Sequence, residues 1–245
     1  MDRFEFRASF GSQGPVVLPV IHVLETERTL RNIEVLTKAG APGCFLINHD
    51  FGVSPFLEIL REVREARPKL WIGVNFLAVT GKDAFPQLAT LGREGCHIDA
   101  YWADDARIDE RVTDQVEAKE IDAARVGWDG LYFGGTAFKK QRPVDPSDYA
   151  RSAETARDWM DVVTTSGLAT GIEADDKKIE TFRAAIGDKP LALASGISPK
   201  NAHRYREVDC FMVATGINYE DNFYEIDPAR LRRLLDITED LRTDE

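Results

Sequence analysis

DVVTTSGLATG, residues 161–171, runs from an apolar stretch straight into hydroxyls and glycines: Thr164, Thr165, Ser166 and Gly167, then Thr170 and Gly171. A strand that only had to reach the next helix would not need so many. Two later stretches repeat the design, PLALASGIS at 190–198 and CFMVATGIN at 210–218. Each is apolar, ends in Ser-Gly or Thr-Gly, and leads into a helical pattern. Short apolar runs bounded in this way read as strands. Three such strand ends predict one shared site.

The alternation extends across the whole chain. Further strands are predicted at 16–23, 43–49, 70–77, 97–103 and 131–138, making eight with 161–167, 190–196 and 210–216. Between them lie segments with helical spacing, such as TLRNIEVLTKAG at 29–40, where Leu30, Ile33, Val35 and Leu36 line one face. PFLEILREVREA, KKIETFRAAIG and the closing DPARLRRLLDITEDLR behave alike. Asp227-Pro228 opens the last helix, and Gly40, Gly95 and Gly187 close earlier ones. Eight strand–helix units in 245 residues predict a single (β/α)8 TIM barrel in the α/β class. A doubly wound sheet would have fewer strands and a Gly-x-Gly-x-x-Gly turn after the first. No linker divides the chain, so 1–245 is expected to be one domain, with 1–15 as a strap or cap across one end.

Composition narrows the function. Hydrophobic residues make up 43% and charged residues 30%, ordinary for a globular chain with a real core. The net charge of −11 is spread along the sequence, which argues against a nucleic-acid partner. No apolar run approaches the ~20 residues that span a bilayer, and MDRFEFRASFGSQG lacks the apolar core of a signal peptide. Cys44, Cys96 and Cys210 are far apart and set among apolar residues, as reduced thiols of a cytoplasmic protein would be, with no zinc spacing.

Barrel chemistry sits at the C-terminal strand ends, and phosphate commonly binds the loops after strands seven and eight. There glycines let backbone N–H groups approach an anion. SGIS at 195–198 and ATGIN at 214–218 fall in those two places. Glycine also serves tight turns, but the pair predicts a phosphate-binding set of Thr165, Ser166, Gly167, Gly171, Ser195, Gly196, Thr215 and Gly216.

The reacting groups are drawn from a wider pool of polar residues near strand ends: His22, Asn48, His49, Asp50, Asn75, Asp99, Tyr101, Asp104, Lys139 and Thr165. From it, His22, Asp50, Asn75, Asp99 and Lys139 are expected to point into the mouth as the catalytic set. Asn75 would orient substrate hydroxyls and a carboxylate would move the proton. Lys139 would hold charge or, if desolvated, act as a nucleophilic amine. Asp99 and Tyr101 share one face of strand four, being two residues apart. His22, His49 and Asp50 would make a metal site only if adjacent strands converged them; no metal or cofactor is assigned.

TTSGLATGIEADD (164–176), LASGISPKN (193–201) and IDPARLRRLL (226–235) resemble motifs of the BtpA family, barrel proteins named for a photosystem I biogenesis factor. VIHVLET with His22, LINHDFGVSPF with Asn48, Pro55 and Phe56, GVNFL with Gly73 and Asn75, and TDQ at 113–115 are similar to its earlier motifs. ETER replaces the family's Pro-Leu-Pro-Gly loop, Ile47 stands for its strand-two Glu, and Asp99-Ala100-Tyr101 for its Arg-Val-Asn. Its strand-five Asp-x-x-x-Lys-His becomes Gly135 with Lys139 and Lys140, and Asn218 stands for its strand-eight Lys. The resemblance implies an inherited barrel and anion-binding half with a rewritten reacting half.

The function expected is an enzyme for a small phosphorylated metabolite (a sugar phosphate, ribose phosphate or nucleotide) working by acid–base chemistry. Isomerase, lyase and glycosyl-bond reactions stay open. The alternative is a non-catalytic BtpA-like assembly or regulatory factor. The partner expected is the small phosphorylated ligand, with no nucleic acid and no membrane span; homo-oligomerisation is left open.

Overall fold

β1 (Val16–Val23) is buried at all eight positions, because its two faces meet two different apolar layers. In the computed structural model, which describes residues 1–169 and 171–241, seven further strands follow it. They are β2 (Gly43–Asn48), β3 (Trp71–Asn75), β4 (Ala100–Ala103), β5 (Leu131–Gly135), β6 (Val162–Thr165), β7 (Leu191–Leu193) and β8 (Cys210–Val213). All pair in parallel and in order, and β8 closes on β1 with Val16 opposite Cys210. The fold is a closed (β/α)8 TIM barrel. Thr170 and residues 242–245 lie outside the described residues.

The helices are α1 (Arg3–Ser9) ahead of β1, then α2 (Thr26–Ala39), α3 (Val53–Ala66), α4 (Gly81–Arg93), α5 (Val116–Ala124), α6 (Tyr149–Ala156), α7 (Asp176–Ile186) and α8 (Pro228–Asp240). No full helix joins β7 to β8, where one was expected; a single 3-10 turn, Ala202–Arg204, stands there. The Asn201 side chain accepts from the N–H of Ser198 at 2.9 Å and donates to the Gly196 carbonyl at 2.7 Å, folding that segment back on the loop. No helix among the described residues is long and apolar enough to cross a membrane. Cys44, Cys96 and Cys210 are buried free thiols.

Alternate residues of each strand divide between the layers. Val16, Leu18, Val20, Phe45, Trp102, Phe133 and Met212 fill the barrel interior. Val17, Ile21, Leu46, Val74, Tyr101, Val163 and Phe211 pack under the helices. Gly73 makes room for the interior, since a Cβ there would stand 2.3 Å from the Phe45 ring. This parity sends His22 and Asp104 inward and Asp99 outward.

One device recurs at the N-terminal end. Asp99, Asp161 and Asp209 each stand just before an even-numbered strand. Each accepts the N–H of a residue at the start of the preceding strand: Ile72 at 2.9 Å, Tyr132 at 2.7 Å and Leu191 at 2.9 Å. Each also pairs with an arginine in, or capping, the helix before that strand: Arg64 at 2.8 Å, the α5 cap Arg125, and Arg183 at 2.7 Å. Asp99 is therefore a strand staple at the far end from the mouth. Its expected catalytic place in the mouth is corrected, because the residue precedes β4 (Ala100–Ala103), on the helix-facing parity of Tyr101, four residues short of the C-terminal strand end.

Asp209 does more. Its side chain is fully buried and also takes Arg3 at 2.9 Å and Arg7 at 2.7 Å, both around α1. A capping box between Asp2 and Glu5 starts that helix, and Phe6 meets Phe133 of the interior layer at 6.0 Å. Removing the carboxylate would take from Arg3, Arg7 and Arg183 the buried anion on which they converge. Asp209→Ala should cost about 3–5 kcal/mol in chemical unfolding; a loss below about 1 kcal/mol would show that the cluster holds nothing together.

Candidate functional site

The interior layer ends at the C-terminal mouth in a cavity of about 310 Å³. His22, next inward after Leu18 and Val20, forms one wall. Its Nδ1–H donates to the Phe223 carbonyl at 2.8 Å, and its ring stacks on that of Phe223 at 3.7 Å. The tautomer follows, because a carbonyl can only accept: Nε2 keeps its lone pair. Burial pulls the His22 pKa down to about 4. His49 meets the same ring edge-on at 5.4 Å, and burial and then Lys140 lower its pKa too.

Opposite lie a carboxylate and two amines. Asp104, at the end of β4, is 6% exposed. Its Oδ1 accepts from the Asn75 amide at 3.2 Å, whereas Oδ2 has no hydrogen-bond partner among the described residues and lies 3.6 Å from Lys140 Nζ. Burial pushes the Asp104 carboxyl up, against the pull of both lysines. Lys139 is placed by its own N–H, which donates to Ser166 Oγ at 2.9 Å. Burial draws its amine down to about 8, with Asp104 opposing and Lys140 assisting. The β5 turn that delivers it holds Ala137 at φ 44, an uncommon conformation for a residue with a Cβ. Lys178 Nζ braces that turn with a 2.6 Å bond to the Ala137 carbonyl.

The third wall is backbone. The loops after β6, β7 and β8 touch main chain to main chain. A Cβ on Gly167 would stand 2.2 Å from the Ile172 carbonyl oxygen, one on Gly196 2.4 Å from the same atom, and one on Gly216 1.8 Å from the Ile197 oxygen. Gly196 also sits at φ +70. Ser195 Oγ ties the first two loops, accepting from Gly167 N–H at 3.1 Å. The N–H groups of Gly196, Ile197, Thr215 and Gly216 reach no acceptor among the described residues. All four residues line the cavity.

Of the residues expected from the sequence, His22, Lys139, Gly171, Ser195, Gly196, Thr215 and Gly216 line this cavity. Asn75 stands behind it, bonded to Asp104. Asp50 does not join: it is exposed on the rim and accepts from the Tyr224 hydroxyl at 3.1 Å. Thr165 faces the other way, toward the Ala137 carbonyl. Ser166 and Gly167 line a separate space of about 700 Å³ beside α7, and Thr170 lies outside the described residues. Tyr101, in the layer under the helices, bonds the Val79 carbonyl at 2.7 Å. Asp104 belonged to the wider pool, and strand parity with Trp102 would have selected it over Asp99. Phe223 comes from a long loop without any strand signal. Among the described residues, no three His, Cys, Asp or Glu side chains gather as a metal site.

No family model and no curated protein matches this chain. Solved structures do. One described as native KDPGal aligns with a TM-score of 0.66 at 12% identity, over 92% of this chain and 95% of that one. A cube-shaped, highly porous designed protein cage aligns at 0.65 and 12% identity, over 93% of this chain and 73% of its own. Phosphoribosyl anthranilate isomerase from Thermus thermophilus aligns at 0.59 and 13%, over 93% of this chain and all of that one. At such identities the likeness shows the fold alone.

Two measurements probe this geometry. Gly216→Ala should cost about 1–3 kcal/mol of stability, because a backbone carbonyl cannot move aside, whereas Gly92→Ala, with open space around it in α4, should gain about 0.5–1 kcal/mol. Equal effects would remove the loop contact from the account. The second concerns pH. Folding lowers the His22 pKa from 6.5 to about 4, so the unfolded chain binds this proton first. The stability tied to neutral His22 is full above pH 6.5 and lost as pH falls toward 4, roughly 3 kcal/mol in all. Urea unfolding of the parent should show that loss in excess of His22→Gln; parallel profiles would contradict it.

Proposed function

We propose that the chain is a barrel enzyme that binds a small phosphorylated metabolite at this mouth and acts on it by acid–base chemistry. The observation that carries the reading is the set of four uncommitted N–H groups, on two adjacent loops, beside Lys139 and Lys140 in one cavity. Backbone N–H groups without a protein acceptor, on residues lining a pocket with cations nearby, suit an oxyanion better than a neutral group. A volume of about 310 Å³ suits a metabolite rather than a polymer.

The phosphate would rest on the Ser195–Ile197 and Thr215–Gly216 backbone, with the rest of the ligand toward His22 and Asp104. These two groups are pushed apart in the useful sense. Burial favours a proton on Asp104 and disfavours one on His22. Asp104 is then the acid and the His22 Nε2 lone pair the base, with Asn75 fixing the Asp104 rotamer. The work first given to Asp50 and Asp99 passes to Asp104.

The BtpA-like stretches TTSGLATGIEADD and LASGISPKN form two of the three contacting loops, which supports kinship through the anion-binding half. The placement of Asp50 on the exposed rim and of Asp99 at the opposite end of the barrel favours the competing reading, a BtpA-like assembly or regulatory factor without chemistry. A thermal-shift series with ribose 5-phosphate, glyceraldehyde 3-phosphate, nucleoside monophosphates and inorganic phosphate separates the two. A ligand at a hundred times its Kd should raise the midpoint by about 5–10 °C, and Lys139→Met with Lys140→Met should cancel the rise. If no phosphorylated compound shifts the midpoint, the assembly reading replaces the enzyme.

A further inference from the structure

We infer that Lys139 is a carbonyl-condensing amine, forming an iminium with the aldehyde or ketone carbon of a phosphorylated carbonyl compound held in the mouth cavity. The inference rests on the phosphate reading above for the ligand's anchor and adds the reacting group.

The described residues hold two largely buried lysines near this end of the barrel, and their surroundings differ. Lys178 Nζ donates to two carbonyl oxygens, Ala137 at 2.6 Å and Ser166 at 2.8 Å, and lies 5.0 Å from the centre of the Tyr149 ring. These bonds commit Lys178 to bracing the loops after β5 and β6, and it does not line the mouth cavity. Lys139 Nζ lies 5.5 Å from the centre of the Phe138 ring and makes one long hydrogen bond, 3.3 Å to the Ala194 carbonyl, which a neutral amine satisfies while its lone pair stays free. It also has a cationic neighbour lining the same cavity in Lys140. A second positive charge beside the first favours release of the proton, the condition an amine nucleophile requires. Burial draws both amines down to about 8, so what sets Lys139 apart is its place in the mouth cavity and its single long hydrogen bond.

Asp104 completes the step. The amine attacks the carbonyl carbon, forming a C–N bond and a carbinolamine whose oxygen takes one proton from the nitrogen. The C–O bond then breaks as the nitrogen lone pair forms C=N, and Asp104 gives its proton to the departing hydroxyl. The products are water, an iminium on Lys139 and an Asp104 carboxylate facing it. The charges balance inside the cavity. An iminium draws electrons from the adjacent C–H or C–C bond, so the reaction class is aldol cleavage or proton removal next to the former carbonyl, with neutral His22 Nε2 within the same cavity as base.

Sodium cyanoborohydride traps such an iminium. The folded parent protein is incubated separately with glyceraldehyde 3-phosphate, dihydroxyacetone phosphate, ribose 5-phosphate and unphosphorylated glyceraldehyde, each with the reductant, then digested and mapped by peptide mass spectrometry. The expected result is one dominant adduct on Lys139, heavier by the ligand less one oxygen atom, with Lys178 unlabelled. Labelling by a phosphorylated compound should be at least tenfold faster than by glyceraldehyde and slowed by inorganic phosphate. Labelling spread over Lys140 and surface lysines, or none on Lys139, overturns the inference, even where the same compounds raise thermal stability and so uphold the phosphate reading. Labelling of Lys139 by glyceraldehyde as fast as by its phosphate supports the amine and sinks the phosphate reading instead.

Discussion

The Ile172 carbonyl oxygen is wedged between Gly167 and Gly196, and the Ile197 carbonyl presses on Gly216 in the same way. These contacts leave no space for a single methyl group. They lock the three loops after β6, β7 and β8 into one body of backbone, and the candidate site depends on them. The N–H groups of Gly196, Ile197, Thr215 and Gly216 in these loops find no acceptor among the described residues, and these residues line the cavity. The loops then define where an anion can rest and how far Lys139 and Asp104 stand from it. The glycines thus serve packing first, and the site is a consequence of that packing.

The two ends of the barrel use carboxylates in opposite ways. At the N-terminal end Asp99, Asp161 and Asp209 each receive a strand N–H and an arginine, so their charge is spent on holding strand pairs together. At the mouth Asp104 is more deeply buried than Asp99 or Asp161 but keeps one oxygen without a hydrogen bond among the described residues. A buried, under-partnered carboxylate is costly, and nothing in the barrel's own packing requires it there. The contrast marks the mouth as the working end, in line with the general division of labour in barrels. Lysines follow the same rule, Lys178 bound on two sides and Lys139 held loosely.

Strand parity links these observations. Burial on both faces divides each strand into an interior layer and a helix-facing layer, and the last interior residue of a strand is the one that meets a ligand. His22, Asn75 and Asp104 are terminal members of that layer. Asp99, Tyr101 and Thr165 belong to the other, however polar they are.

The eight apolar runs, their order and the helical spacing between them were legible from composition and periodicity alone, because a doubly buried parallel strand writes itself as a short hydrophobic word. The glycine- and hydroxyl-rich ends at 167, 196 and 216 were legible too, because close backbone approach tolerates few side chains. The tertiary structure decided the rest. Asp99 lies four residues before the end of β4 and faces the helix layer, and only its bonds to the Ile72 N–H and Arg64 show which role it takes. Phe223 reaches His22 across 201 positions, and no local pattern encodes such a contact. The proton affinities of His22, Asp104 and Lys139 arise from desolvation and from neighbours on other strands, so they exist only once the chain has closed on itself.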